Sequence, residues 1–516
     1  MRVTRTVALC GGLALLVAAA SLQAAGPTLP LVEAAKNADA AALRALLKGR
    51  NDVNVAGPDG TTALHWAAYR GDAEAVELLL RAGANPKASN RYGVTPLSLG
   101  AQHGSAPVVE RLLAAGADAN TTMMGGETVL MTAARTGNPD VVKALLAHGA
   151  RVDAREESRQ QTALMWAAAE GNAAAMKLLV EAGANIRARS NERDFRNYEP
   201  LRGGSAIGDV ESGVHIEFSP LLFAVRAGEV DAIKVLLDAG ADVDETVPDG
   251  TSALVIAAIN AQWEAGAYLL ERGANPNAAA QGWNALHQVA RTRTFNLGNV
   301  PHPIPTGSLS SLDFAKRMLA AGVDINARMT KEIRNDGYRF QMSRIGATAF
   351  LVAAKGADAP LMQILAANGA DTRMANNTGT TPLMAAAGVD IAFLGEDTGT
   401  HDDAAEAVKV ALAFPHDLNA ANNAGWTALH GAARRGALPI VETLIARGAS
   451  LSAKNKNGWT PLTVAIGWKG GRPLFLNEQR QFEAAVVIRR AMQQQGVAVE
   501  EDKDALDLLD ASLPSR

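Results

Sequence analysis

The sequence predicts an all-α solenoid of about eleven helix-turn-helix units plus a degenerate N-terminal capping unit, with loop insertions. Three observations predict it: a recurring phrase, a near-constant spacing and glycines in phase with both. The phrase is a small hydroxyl residue (Asn once), a small residue or proline, then an apolar turn led mostly by leucine. It occurs eleven times. It stands as TALHWAA from Thr62, TPLSLGA from Thr95, TVLMTAA from Thr128 and TALMWAA from Thr162. It continues as SPLLFAV from Ser219, SALVIAA from Ser252, NALHQVA from Asn284 and TAFLVAA from Thr348, and ends as TPLMAAA from Thr381, TALHGAA from Thr427 and TPLTVAI from Thr460. Five of the ten steps between them, such as 62 to 95 and 427 to 460, are 33 residues, and two more are 32 and 34. A period of that length, with one turn and two short helices per unit, marks a stacked array.

Each phrase predicts a helix start. The hydroxyl of Thr62, Thr95 or Thr381 can accept a hydrogen bond from an otherwise unpaired N–H. Pro96, Pro220, Pro382 and Pro461 follow at the first helical position, where a missing N–H costs nothing. Leu64, Ala67 and Ala68 form a small-residue face for close stacking. Glycines such as Gly71, Gly104, Gly137 and Gly436 then turn the chain. The second helix carries Val76, Leu79 and Leu80 at helical spacing and stops at a left-handed glycine such as Gly83, Gly116 or Gly448. One such unit cannot bury its apolar face alone, so neighbours must cover it.

The predicted organisation is a leader at 1–25, a capping unit at 31–57 and regular units at 58–190. A loop insertion follows at 191–217, then further units at 218–495 and an acidic, mobile tail at 496–516. The capping unit lacks the threonine phrase. Insertions break the rhythm of the second stretch at 291–311, 330–344, 388–403 and 467–481. Those at 191–217 and 330–344 lengthen the finger loops between units; the others lengthen the turn inside a unit.

With hydroxyl cap, apolar turn, glycine turn, leucine pair and GAD or GAN ending all in phase, the chain resembles the ankyrin repeat family over Leu31 to Gln495. The resemblance implies protein binding through a concave surface. The sequence has no G-x-S-x-G, P-loop or haem-attachment motif, so neither catalysis nor a cofactor is expected. The leader and the alanine-rich composition also resemble the secreted bacterial subset of such proteins.

Arg2 and Arg5 precede an apolar stretch, Val7 to Ala20, followed by small residues to Gly26. That is the layout of a secretory signal peptide, with cleavage near Ala24 or Ala25. The alternative is an uncleaved anchor, since Val7 to Ala25 nearly reaches spanning length. Cys10 is the only cysteine, so cleavage would leave no disulfide, thiolate metal site or thiol nucleophile. An exported chain without disulfides suits a bacterial periplasm better than an animal extracellular space. The net charge of −4 argues against a general nucleic-acid binder.

Candidate chemistry is sparse. His65, His287 and His430 recur in phase, and the resemblance gives them a structural role between adjacent loops. No pair has metal-ligand spacing and no H-E-x-x-H exists. Paired acids such as Asp242 and Asp244 belong to finger turns, where they make local backbone bonds. The loop Gly395 to Asp403 offers Glu396, Asp397, Asp402 and Asp403 but lacks calcium-loop spacing, so no metal site is expected.

Partner binding is the better candidate. In the ankyrin-like arrangement the residues after the first helix line the concave face; here the basic ones are Arg70, Arg135, Arg226, Arg291, Lys355, Arg434 and Arg435, against one acid, Glu170. A stripe of one sign would attract an acidic segment of a protein partner; the alternative is that these arginines cover apolar neighbours. Trp283, Trp426 and Trp459 occupy finger positions that are usually exposed, and Trp426 and Trp459 are expected side by side as anchors. Trp66 and Trp166, inside first helices, read as packing residues. In the insertion at 330–344, Arg334, Tyr338 and Phe340 give the arginine–aromatic mixture favoured at interface centres. The functional expectation is an exported, non-enzymatic binding protein; the alternatives are a passive envelope scaffold and an enzyme with a cryptic site built by the insertions.

Overall fold

The computed structural model describes residues 29–49, 51–193, 215–294, 303–332, 342–391, 399–469, 472–474, 481–499 and 503–511. The leader lies outside these residues, as do Arg334, Tyr338 and Phe340. The chain forms two compact units, residues 1–191 and 192–516. The first holds a capping pair, Pro30–Lys36 with Ala40–Leu47, and four full helix pairs from Ala63–Tyr69 to Ala173–Glu181. Among its described residues, the second holds seven pairs, from Pro220–Ala227 to Phe482–Gln494, and a further helix, Lys503–Ala511. The predicted all-α repeat architecture is the observed one. Two minimal two-residue ladders, Glu192–Arg193 with His215–Ile216 and Trp468–Lys469 with Arg472–Pro473, occur inside insertions.

Within each unit, first helices pack on first helices and second helices on second helices of the next pair. The helix starts form as the phrase predicts: Thr95 accepts from the Ser98 N–H at 3.2 Å and Thr348 from the Leu351 N–H at 3.2 Å. Leu64, Ala67, Ala68, Val76 and Leu79 are all buried, so both helices of a pair contribute to one core.

A second interlock runs along the fingers. In five units the fourth residue after the closing glycine is Asp or Asn, and its oxygen accepts a backbone N–H from the next pair. Asn120 takes the Arg151 N–H at 2.8 Å, Asp153 the Asn185 N–H at 2.9 Å, and Asp244 the Asn275 N–H at 2.7 Å. Asn120 also donates to the Gly149 carbonyl at 3.0 Å. The sequence reading gave these side chains local turn bonds only.

The insertions fold onto the stack. Segment 303–310 lies over earlier turns: Thr306 N–H donates to Gln262 Oε1 at 3.1 Å and Ser308 N–H to Glu264 Oε1 at 2.7 Å. Arg293 grips the buried Asp358 carboxylate through Nε at 2.6 Å and Nη2 at 2.9 Å. The acidic C-terminal segment also differs from the expected mobile tail. Lys503–Ala511 is helical, with Ala505 and Leu509 buried and Asp510 paired with Arg489. The physical reason is an apolar i, i+4 pair inside the acidic run, which gives the segment one face to bury.

Turn geometry gives a direct test. Gly137 has φ 78°, and a β-carbon there would strike the Asn172 amide, which donates to the Ala134 and Arg135 carbonyls at 2.8 Å each. Ala261 and Ala357 hold the equivalent left-handed position, with φ 56° and 55°, without glycine. Gly137→Ala is therefore expected to lower stability by about 2 kcal/mol, through strain and lost hydrogen bonds. Ala261→Gly is expected to raise it by about 0.5 kcal/mol, a gain reduced by unfolded-chain entropy. Urea-unfolding midpoints of the two variants check both signs.

Candidate functional site

In the unit of residues 1–191 the first helices present a face of aromatic rings under cations. Trp66 and Trp166 stand at the same position of their phrases, the fifth residue, and both are half-buried. Lys36 Nζ lies 5.6 Å from the Trp66 ring centre, and Tyr69 meets Trp66 edge-on at 5.9 Å. Tyr69 itself is 54% exposed. Arg70 is exposed and donates from Nε to the Lys36 carbonyl at 2.6 Å. Arg135 stacks on Trp166 at 5.1 Å, and its Nη2 lies 3.8 Å from Glu127 Oε1. Each exposed cation–ring contact contributes about 0.5–1 kcal/mol. The two tryptophans, read from sequence as packing residues, thus also form part of this surface.

In the unit of residues 192–516 the expected stripe is interrupted. Arg226 is half-buried against Phe218 and Phe223, 5.0 Å from each ring, and Arg291 is half-buried. Lys355, Arg434 and Arg435 are buried, at 3%, 4% and 4% exposure, so they do not offer an open basic surface. For Lys355 and Arg435 the covering segment is the start of the 388–403 insertion. The chain leaves the helix Pro382–Ala387 at Gly388, φ 114°, and Gly388 and Val389 press on Gly431 of the next first helix. Gly431 takes the position of Trp66 and Trp166, and a β-carbon there would collide with the Val389 backbone. Lys355 Nζ, beneath this segment, donates to the Val389 carbonyl at 3.1 Å and to that of Asp390 at 3.0 Å. Burial lowers the Arg434 guanidinium to about 10, leaving it charged at neutral pH.

Trp283, Trp426 and Trp459 are half-buried rather than freely exposed. Their fingers are closed by side-chain bonds: Trp426 N–H donates to Asn422 Oδ1 and Trp459 N–H to Asn455 Oδ1, both at 3.0 Å. The Trp426 ring lies 5.8 Å from the His430 ring. Successive fingers are joined by the Lys456 N–H to the Ala424 carbonyl at 3.0 Å.

The three histidines hold fingers together. His65 Nε2 meets the Val94 carbonyl at 3.1 Å and His430 Nε2 the Trp459 carbonyl at 2.9 Å, while Nδ1 of each faces its capping threonine hydroxyl at 2.8 and 2.9 Å. His287 makes the matching pair with Ala327 at 3.0 Å and Asn284 at 2.6 Å. Among the described residues, no group of three or more His, Cys, Asp or Glu could hold a metal ion. Of the acidic loop, Glu396 and Asp397 lie outside the described residues, and Asp403 caps its own helix by accepting the Thr400 N–H at 2.8 Å. No helix among the described residues is long and apolar enough to cross a membrane.

Burial depresses His65 and His430 below the ordinary imidazole value and His287 to about 4. The unfolded chain therefore takes up protons near pH 6.5 that the folded chain refuses. Stability is full above about pH 6.5 and falls as pH drops toward 4. Thermal unfolding between pH 7.5 and 4.5 checks the sign, and His287→Gln is expected to flatten part of the slope while lowering stability at neutral pH.

Comparison with known proteins places this geometry. A family model described as ankyrin repeats (3 copies) matches residues 31–123, 107–190, 214–299 and 400–474, together more than half of the chain. Among solved structures, the human ASB11 ankyrin repeat domain is 27% identical, covering 48% of this chain and 100% of that one, with a TM-score of 0.39. No curated protein matches. On the family match and the stacked, threonine-capped helix pairs, the chain belongs to the ankyrin repeat family.

Proposed function

We propose that this is an exported, non-enzymatic ankyrin-repeat protein of the secreted bacterial type that binds an acidic segment of a protein partner. Ankyrin repeats are generally protein–protein interaction modules, and the charge pattern narrows the choice of partner. The observation that carries the reading is the surface of residues 1–191, where Lys36 stacks on Trp66 beside the exposed Tyr69 and Arg70 and, two first helices farther along, Arg135 stacks on Trp166. Stacking holds each cation in place, so little side-chain entropy remains to be lost on binding. An extended acidic chain could meet the cations with its carboxylates and the rings with its backbone and stems. Arg226 and Arg291, half-buried in the other unit, remain secondary candidates; Lys355, Arg434 and Arg435 serve the fold. The leader with Arg2, Arg5 and the apolar run Val7 to Ala20 supports export to a periplasm.

Two measurements check this. The N-terminal residue of protein recovered from the periplasmic fraction should be Ala25 or Gly26, with an intact Met1 contradicting cleavage. Titration of an acidic Glu-rich peptide should quench or shift tryptophan emission, weaken with added salt, and lose at least about tenfold in affinity, near 1.4 kcal/mol, in an Arg70→Glu/Arg135→Glu variant. Equal affinity in that variant would contradict the acidic-segment reading.

A further inference from the structure

The segment that covers the first-helix face also builds a cleft. Beyond Gly388 the chain doubles back and brings the Asp390 carboxylate to Thr380, whose hydroxyl donates to Oδ2 at 3.0 Å. Asp390 has φ 63°, a left-handed conformation tolerated by aspartate better than by most residues. Lys355 Nζ holds that conformation through its two carbonyl contacts. Asp390 opens into a cavity of about 390 Å³ between successive fingers, with Ser343, Thr378, Asn422, Asn423 and Lys456 around it.

Three of the wall side chains already spend a donor within the fold. Asn422 Nδ2 donates to the Thr380 hydroxyl at 3.2 Å, Thr378 Oγ to Asn376 Oδ1 at 2.8 Å, and Asn423 Nδ2 to the Asn377 carbonyl at 3.3 Å. What the cavity lacks is a donor for the second oxygen of Asp390, which has none among the described residues. Burial pushes the carboxyl up, opposed by Lys355 and the Thr380 hydroxyl, so a cationic occupant would further favour the ionised form. Among the described residues, no aromatic side chain lines the cavity. Lys456 is exposed at the rim, where it disfavours a bare cation and favours one flanked by an acid.

We infer that the Asp390 cleft receives a cationic side chain, an arginine or lysine projected by a protein partner. This does not rest on the acidic-segment reading, because every residue involved lies in the unit of residues 192–516. A planar guanidinium suits the site best, since its several N–H groups can reach both the carboxylate and the finger carbonyls.

The test titrates the full chain with N-acetyl-arginine methylamide, its neutral citrulline isostere and glucose, following backbone amide shifts of Thr378 and Asn423. The arginine probe should give saturable shifts and bind at least tenfold tighter than the citrulline probe. Asp390→Asn, which keeps the contact to Thr380, should lose that tenfold preference. Lys456→Glu, a change at an exposed rim residue, should strengthen arginine binding several-fold and supplies the test if the Asp390 variant fails to fold. Absent shifts, equal binding of citrulline or glucose, or an unchanged affinity in both variants would overturn the inference.

Discussion

No helix pair in this protein can satisfy its own apolar surface, and that shortfall is the constraint on which everything else depends. A unit of two helices, one seven residues and one nine in Ala63–Tyr69 and Ala73–Arg81, is far too small to enclose a core. Leu64 and Ala67 of the first helix and Val76 and Leu79 of the second are buried because the adjoining pairs close over them. The Asp and Asn side chains that accept a backbone N–H from the next finger then fix the register between pairs. Packing supplies the energy, and these hydrogen bonds supply the alignment.

This division explains what was legible in the residues. The capped phrase and its glycines repeat, so helix starts, turns and the count of pairs could be read without coordinates. His65, His287 and His430 were legible for the same reason. What could not be read was any feature created by a departure from the period. Lys355, Arg434 and Arg435 occupy the same phase as Arg70 and Arg135, yet all three are buried, Lys355 and Arg435 against the chain from Gly388 to Asp390. The signal was present as Gly431, a lone glycine where other units carry larger side chains, but its meaning depends on where Val389 travels. Likewise, Asn120 and Asp153 were visible as turn formers while their reach to the next pair was not. The helix Lys503–Ala511 shows the same limit: acidity masked the Ala505 and Leu509 stripe.

The two units also divide the surface chemistry. In residues 1–191 the regular period leaves cations stacked on rings at an accessible face. In residues 192–516 the start of the insertion at 388–403 takes up one equivalent cation, Lys355, in its own support and leaves a carboxylate facing a cleft. Regularity thus exposes positive charge, and interruption replaces it with a single negative group. A repeat scaffold can acquire different recognition chemistry in this way without altering the helix pairs beneath.

Native-state hydrogen exchange on a Leu112→Ala variant tests the dependence of each pair on its neighbours most directly. Leu112 is fully buried in the second helix Ala106–Ala114 and its loss leaves a cavity costing about 2–5 kcal/mol. If stability resides between pairs, amides of Ala73–Arg81 and Pro139–Ala147 lose protection together with those of Ala106–Ala114. Loss confined to Ala106–Ala114, with both neighbours as protected as before, would contradict the account.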